Sequence, residues 1–390
     1  MVLRLVTLLI LCVTPLRGTS AQGDPFSLPV PGYKWSFPRD HGEHHGYQTE
    51  WWYYTGHLYD DAGAPYSTPP RYGFQLTFFK RVVGADLSTA KVYLAHATLT
   101  EIATKRVFFS SRVADGIIGA GRVSHDRLNV GLGDWSTEMI GNSHVLKFSI
   151  PADTEQDSRT VRLLLDAPDS SILLQGEGGH SKKGKCETCA SLYYSIPHIP
   201  VKGDVYLGYD NPQGKTSVHG IAWMDHEVMS NALEANQVGW DWMALTFKSG
   251  KAITVFQLRD KGGEHFQSLR YCEGKRCQNI PKGDFTFAPS EGVAQEGALW
   301  TSPTTGATYP IRWQLTIPSQ GIKIELQARV EASELAQHEP HTSPERAKTR
   351  EKKASSGSGS PIYWEGPVAS PGEEVIGYLE MTGYAGGVDI

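Results

Sequence analysis

Tyr72-Gly-Phe-Gln-Leu-Thr-Phe-Phe79 decides the fold class. Tyr72, Phe74, Leu76 and Phe78 recur at every second position, and Gln75 and Thr77 fall between them. A period of two belongs to a strand that buries one face, not to a helix. Working outward, further strands are expected over 92–99, 145–150, 161–165, 242–247, 252–258, 311–317 and 322–327. Gly, Pro, Asn and Asp punctuate them, and no long stripe has helical spacing. Many short strands between turn signals predict an all-β protein built as a barrel or sandwich.

Glu50-Trp-Trp-Tyr-Tyr-Thr-Gly-His57 followed by Gln75-Leu-Thr-Phe-Phe-Lys80 has a weak echo downstream. Gly220-Ile-Ala-Trp-Met-Asp-His-Glu227 is followed by Ala244-Leu-Thr-Phe-Lys248, which points to two similar halves. The proline-containing segment 195–203 offers a boundary near Pro200, giving an N-terminal unit over 22–200 and a C-terminal unit over 201–390. Residues 337–360 hold Glu, Lys, Ser and Gly with almost no apolar side chain, so they read as a disordered loop. Tyr363-Trp-Glu-Gly366 and 375–384 then return as strands.

Arg4, the apolar run 5–13 and Thr19-Ser20-Ala21 follow the order of a secretory signal peptide cleaved near Ala21. That run is shorter than the roughly 20 residues a spanning helix needs, and no later stretch approaches them. The expected product is periplasmic or secreted, with no transmembrane segment. With 37 basic and 42 acidic residues, the chain lacks the basic surplus of a nucleic-acid binder. Ten Trp, 17 Tyr and 13 Phe favour strands and supply walls for an apolar pocket. Four cysteines follow the leader as the close pairs Cys186/Cys189 and Cys272/Cys277. An oxidising compartment favours disulfides, local or crossed, while two such pairs also suit a four-thiolate zinc site.

Two polar-aromatic clusters offer chemistry. The first gathers Asp40, His41, Glu43, His44, His45 and Glu50 ahead of Trp51, Trp52 and Tyr53. The second is Trp223-Met-Asp-His-Glu227, followed by Gly239-Trp-Asp-Trp242. His41, His44 and His45 are suitable zinc or iron ligands, but His-Glu-x-x-His is absent and a strand-opening loop more often builds a hydrogen-bond network. No Gly-x-Ser-x-Gly elbow appears, and no strand-helix alternation surrounds one. Acid catalysis fits better. In a strand over 219–227, His219, Ile221, Trp223, Asp225 and Glu227 share one face, and Met224 and His226 take the other. An aromatic wall desolvates a carboxyl group and keeps it protonated, ready to give its proton to an alkene or a leaving group. Trp240 and Trp242 can face a developing carbocation. The competing reading makes Asp225 and Glu227 structural hydrogen-bonding groups at a strand end.

At these residues the chain resembles the AttH-like, lipocalin-like group that includes carotenoid 1,2-hydratases (hydroxyneurosporene synthases) and predicted secreted hydrolases. The matching text runs from Phe37-Pro-Arg-Asp-His41 and Glu50 to Leu58 through Gly73 to Lys80 and His96-Ala-Thr-Leu99. It continues with Tyr193-Tyr-Ser-Ile-Pro197, Ala222-Trp-Met-Asp-His-Glu227 and Gln237-Val-Gly-Trp-Asp-Trp242. Trp300-Thr-Ser-Pro303, Gly306-Ala-Thr-Tyr-Pro310, Tyr363-Trp-Glu-Gly366 and Leu379-Glu-Met-Thr-Gly-Tyr384 complete it. The resemblance implies two lipocalin-like (calycin-like) antiparallel β-barrels with an apolar ligand site near their junction. In its hydratase branch an aspartate protonates a terminal isoprenoid double bond and water captures the tertiary cation, without a cofactor; Asp225 matches that aspartate. The catalytic groups expected are Asp225, Glu227 and His226. His41, His45, Glu50, Trp52, Tyr54, Trp223, Trp240 and Trp242 are the expected ligand contacts. The leading expectation is an exported protein that binds a lipid or isoprenoid and hydrates or hydrolyses it. The alternatives are a non-catalytic lipid carrier serving an ABC export system, and a metal-dependent hydrolase built on His41, His44 and His45.

Overall fold

The computed structural model describes residues 26–386 except 84–90, 116–120, 153, 209–210, 231–233, 291–296 and 337–361. The expected signal peptide and the 337–360 loop lie outside the described residues. Among the described residues the regular elements are strands and four three-residue 3-10 turns, so the chain is all-β.

Two large antiparallel sheets each curl into a nearly closed, lipocalin-like barrel. The first runs, strand beside strand, Arg106–Asp115, Lys91–Glu101, Tyr72–Val82, Thr49–Tyr59, Lys215–Met229, Ala190–Leu207, Arg159–Asp166 and Ser143–Ile150, with three shorter strands beyond. The second runs Arg276–Ile280, Phe266–Glu273, Lys251–Asp260, Gln237–Phe247, Val375–Thr382, Tyr363–Ala369, Ile322–Ala328, Arg312–Ile317 and Thr286–Pro289. The order of hairpins is the same in both, so Thr49–Tyr59 answers to Gln237–Phe247 and Lys215–Met229 answers to Val375–Thr382. The duplicated halves are therefore real in topology, but the echo read from sequence joins the wrong strands. Its two Trp-containing motifs are neighbours in one sheet, with Trp52 opposite His226 and Tyr53 opposite Asp225.

Pro200 falls inside the strand Ala190–Leu207, and the sheets hand over between Met229 and Gln237 instead. The prolines mark a bulge. Pairing with Lys215–Met229 slips between Ile196 and Ile199, and His198 takes a positive φ of 51°. A strand tolerates proline where the ladder is already broken, and the extra residue re-aims a side chain. Here the His198 Nε2 meets the Lys251 carbonyl of the second sheet at 2.9 Å.

The opening stretch occupies Tyr72–Val82. Tyr72, Phe74, Leu76 and Phe78 join Trp52, Tyr54 and Met224 in the first barrel's core. Its polar face does not meet water: Gln75 and Thr77 are each 1% exposed. The central strands of both barrels pack outer face to outer face, and Tyr53, Trp223, Trp242, Ala244, Phe256 and Tyr378 form a third apolar cluster there. Hydrogen bonds cross the same seam, from His57 Nε2 to the Gly377 carbonyl at 2.8 Å and from Gln175 Nε2 to Thr254 Oγ1 at 2.9 Å. Both cysteine pairs close locally as disulfides, Cys186–Cys189 and Cys272–Cys277, which removes the crossed pairing and the four-thiolate zinc site. Among the described residues no helix is long and apolar enough to cross a membrane.

Candidate functional site

A cavity of about 350 Å³ lies between the barrels. The alternation of each central strand builds it: even-numbered residues of Thr49–Tyr59 and Tyr72–Val82 fill the first barrel, so Tyr53, Thr77 and Phe79 face outward into the cavity. The second barrel contributes Trp240, Trp242, Phe256, Tyr363, Glu365 and Glu380.

Asp225 sits in this wall at 3% exposure. Tyr193 Oη donates to its Oδ2 at 2.6 Å, Trp223 Nε1 donates to its Oδ1 at 2.7 Å, and the Ser195 hydroxyl is bonded to the same Oδ1. Burial raises its pKa to about 7, against the pull of those three donors and with some help from Glu227. Burial wins. Trp242 Nε1 donates to Tyr193 Oη at 3.2 Å and so fixes the ring that holds the carboxyl. Glu227, two residues on, is bonded to the Ser191 hydroxyl and pairs with Lys183 Nζ at 2.5 Å. The Lys183 ammonium lies 4.2 Å over the Phe256 ring.

A second acidic wall faces from the other barrel. Glu365 and Glu380 are direct partners across adjacent strands. The Tyr53 hydroxyl is bonded to Glu365, and Trp240 Nε1 donates to Glu380 Oε1 at 2.8 Å. Burial pushes Glu380 up to about 7, and burial with Glu380 alongside holds Glu365 well above the ordinary carboxyl range. His96 Nδ1 meets Tyr363 Oη at 2.8 Å, and burial lowers this imidazole to about 4, leaving it neutral. The two walls correspond through the duplicated topology. Asp225 stands opposite Ser195 and Tyr53 in register, as Glu380 stands opposite Glu365 and Trp242.

The structure divides the expected site residues. Asp225, Glu227, Trp223, Trp240 and Trp242 meet at the seam. His226, Glu50, Trp52, Tyr54 and His41 lie one face away, inside the first barrel, because a strand cannot turn neighbouring side chains to the same side. There His226 Nε2 meets Glu50 Oε1 at 2.8 Å and stacks on Trp52, while His226 Nδ1 and His41 Nδ1 meet Tyr194 Oη at 3.1 and 2.6 Å. Tyr54 Oη meets His144 Nδ1 at 3.0 Å. Burial disfavours the Glu50 carboxylate, but Lys80 and His44 beside it hold its pKa well below the usual range. His44 in turn is raised to about 9, because Glu50 and Asp40 outweigh its burial. His45 is exposed and stacks on His125 at 4.1 Å. His41, His44 and His45 thus point to three different places and form no common ligand set. Donor atoms do converge at His44, Glu50 and His226, and at Glu43, His45 and His125. At the first of these the Lys80 ammonium already sits 2.8 Å from Glu50.

Tyr193, Ser195, Lys183, Glu365 and Glu380 were not anticipated as site residues. Their only signal lies in period two, since Tyr193 with Ser195 and Tyr363 with Glu365 alternate with core residues. Which strand lies opposite which is not written in that alternation.

The chain's residues 28–384 match the family model described as AttH-like. It resembles the crystal structure of an AttH protein from Nitrosomonas europaea at 27% identity and a TM-score of 0.72, over 92% of this chain and 100% of that one. Kievitone hydratase from Nectria haematococca aligns at 14% identity and TM-score 0.49, over 87% of this chain and 90% of its own. CghA with Sch210972 aligns at 11% identity and TM-score 0.48, over 87% and 89%. Neither activity carries over at that distance. No curated protein matches the chain's sequence. A family model spanning both barrels and the seam between them places the chain in the AttH-like family.

Proposed function

We propose that the chain binds an extended apolar molecule, a lipid or isoprenoid, in the cavity between its barrels, and that Asp225 serves it as a general acid. The observation that carries this reading is Asp225 itself, a buried carboxyl raised to about 7 on an aromatic wall. A general acid works best when its pKa lies near the working pH. On an alkene, the proton of Asp225 goes to one carbon and the π pair becomes the new C–H bond. The cation left on the other carbon faces Tyr53, Trp240 and Trp242. Water adds to it, and the surplus proton of that water returns to the carboxylate, which restores the acid. The family match supports a lipocalin-like binder, and the two disulfides support work in an oxidising compartment, outside the cytoplasm.

The test is Asp225→Asn assayed on whatever apolar molecule co-purifies. The proposal expects turnover to disappear while binding persists; turnover undiminished in the variant refutes the acid role. A carrier without chemistry is the second reading, favoured by the three donors on Asp225, which stabilise the ionised form that cannot give a proton. Ligand recovered chemically unchanged after long incubation supports that carrier.

A further inference from the structure

We infer that the Glu365–Glu380 pair recognises a basic nitrogen, so that the molecule held in this cavity is an amphipathic amine carrying its positive charge to that wall. This rests on the proposal that the cavity holds an apolar molecule, and it names the polar group of that molecule.

The two carboxyls face each other across adjacent strands and both line the cavity. Glu365 is 1% exposed, and its Oε2 is buried there with no hydrogen-bond partner. Buried polar atoms are rarely left so, because the group has lost its bonds to water without replacing them. Among the described residues no lysine, arginine or histidine pairs with either acid. Of the cations that line the cavity, Lys183 pairs with Glu227, Lys80 pairs with Glu50, and Arg81 donates to Thr49 Oγ1 at 2.8 Å, so none of the three is bonded to Glu365 or Glu380. Two like charges this close resist ionising together unless a cation joins them. The surroundings suit such a cation: Trp240 and Tyr53 hold the two carboxyls, and Trp242 lies on the same face beside Glu380. Aromatic faces with a carboxylate make a favourable setting for an ammonium group. The duplication sharpens the contrast, because the first barrel has Ser195 where the second has Glu365. One wall thus carries an acid suited to giving a proton beside a Glu227 already paired with Lys183, and the other a doubled acid lacking its counter-charge.

Calorimetric titration of the whole protein with decylammonium chloride, 1-decanol and sodium decanoate tests this. The amine is expected to bind about tenfold or more tightly than the alcohol, with decanoate weakest. Glu365→Gln and Glu380→Gln should each bring the amine down to the alcohol's affinity while leaving alcohol binding and the parent's circular dichroism unchanged. Equal binding of all three probes overturns the inference and leaves the apolar cavity standing, as does an amine preference that survives in both variants. Failure of all three to bind refutes the cavity proposal and this inference with it.

Discussion

At the scale of the residue, the proposed chemistry turns on Asp225, whose folded pKa of about 7 stands above its ordinary 3.8. A carboxyl raised on folding binds its proton more tightly in the folded state, so its contribution to stability is present below pH 3.8 and is lost as pH rises through 7. Asp225→Asn carries no such penalty. Its melting temperature relative to the parent protein should therefore climb as pH is raised from 4 to 8, in paired calorimetric scans. A constant difference would mean that the carboxyl is not desolvated. Trp223 two places before Asp225 made this residue legible, since one strand places both on one face. Glu380 stayed hidden for want of such a neighbour: its partners Trp240 and Glu365 come from two other strands.

Elements carry the close fit between the barrels. Gly377 pairs with Leu245 and gives its carbonyl to His57, and a methyl group there would overlap the Ala244 carbonyl. Gly377→Ala is expected to cost about 1–3 kcal/mol in denaturant unfolding, as overpacking does. The disulfides act more weakly. Cys186–Cys189 spans 3 residues in sequence, and Cys272–Cys277 spans 5 within a hairpin whose strands already pair. Short loops gain little from closure, so a reductant should remove no more than about 2 kcal/mol per bridge and leave ligand uptake intact. The strands themselves were readable from alternation, as at Tyr72–Val82. What alternation could not supply was pairing. The prolines near Pro200 looked like a linker and prove to be a bulge, because a sequence shows a broken ladder and a chain boundary with the same residues.

The whole molecule places its cavity where two barrels meet, near the junction at which the family resemblance expects a ligand site, and the residues that line it are what the sequence disguised most. The histidine-rich segment before Trp51 supplies three of the expected ligand contacts, His41, His45 and Glu50, yet it closes the inside of the first barrel around Glu50 and Lys80. The seam instead is lined by residues drawn from strands far apart in the chain, with Tyr53 and Glu365 in contact. Filling that space should abolish binding without unfolding either barrel: Thr77→Trp, from the cavity wall, is expected to lose uptake of a neutral apolar dye and keep the parent's circular dichroism. The central claim, that the seam holds an apolar small molecule, is tested most directly by native mass spectrometry of protein isolated from its own host. The account predicts a one-to-one complex whose extra mass is released by organic solvent and is missing from Thr77→Trp. Bare protein with no added mass, and no uptake of the apolar dye, would contradict it.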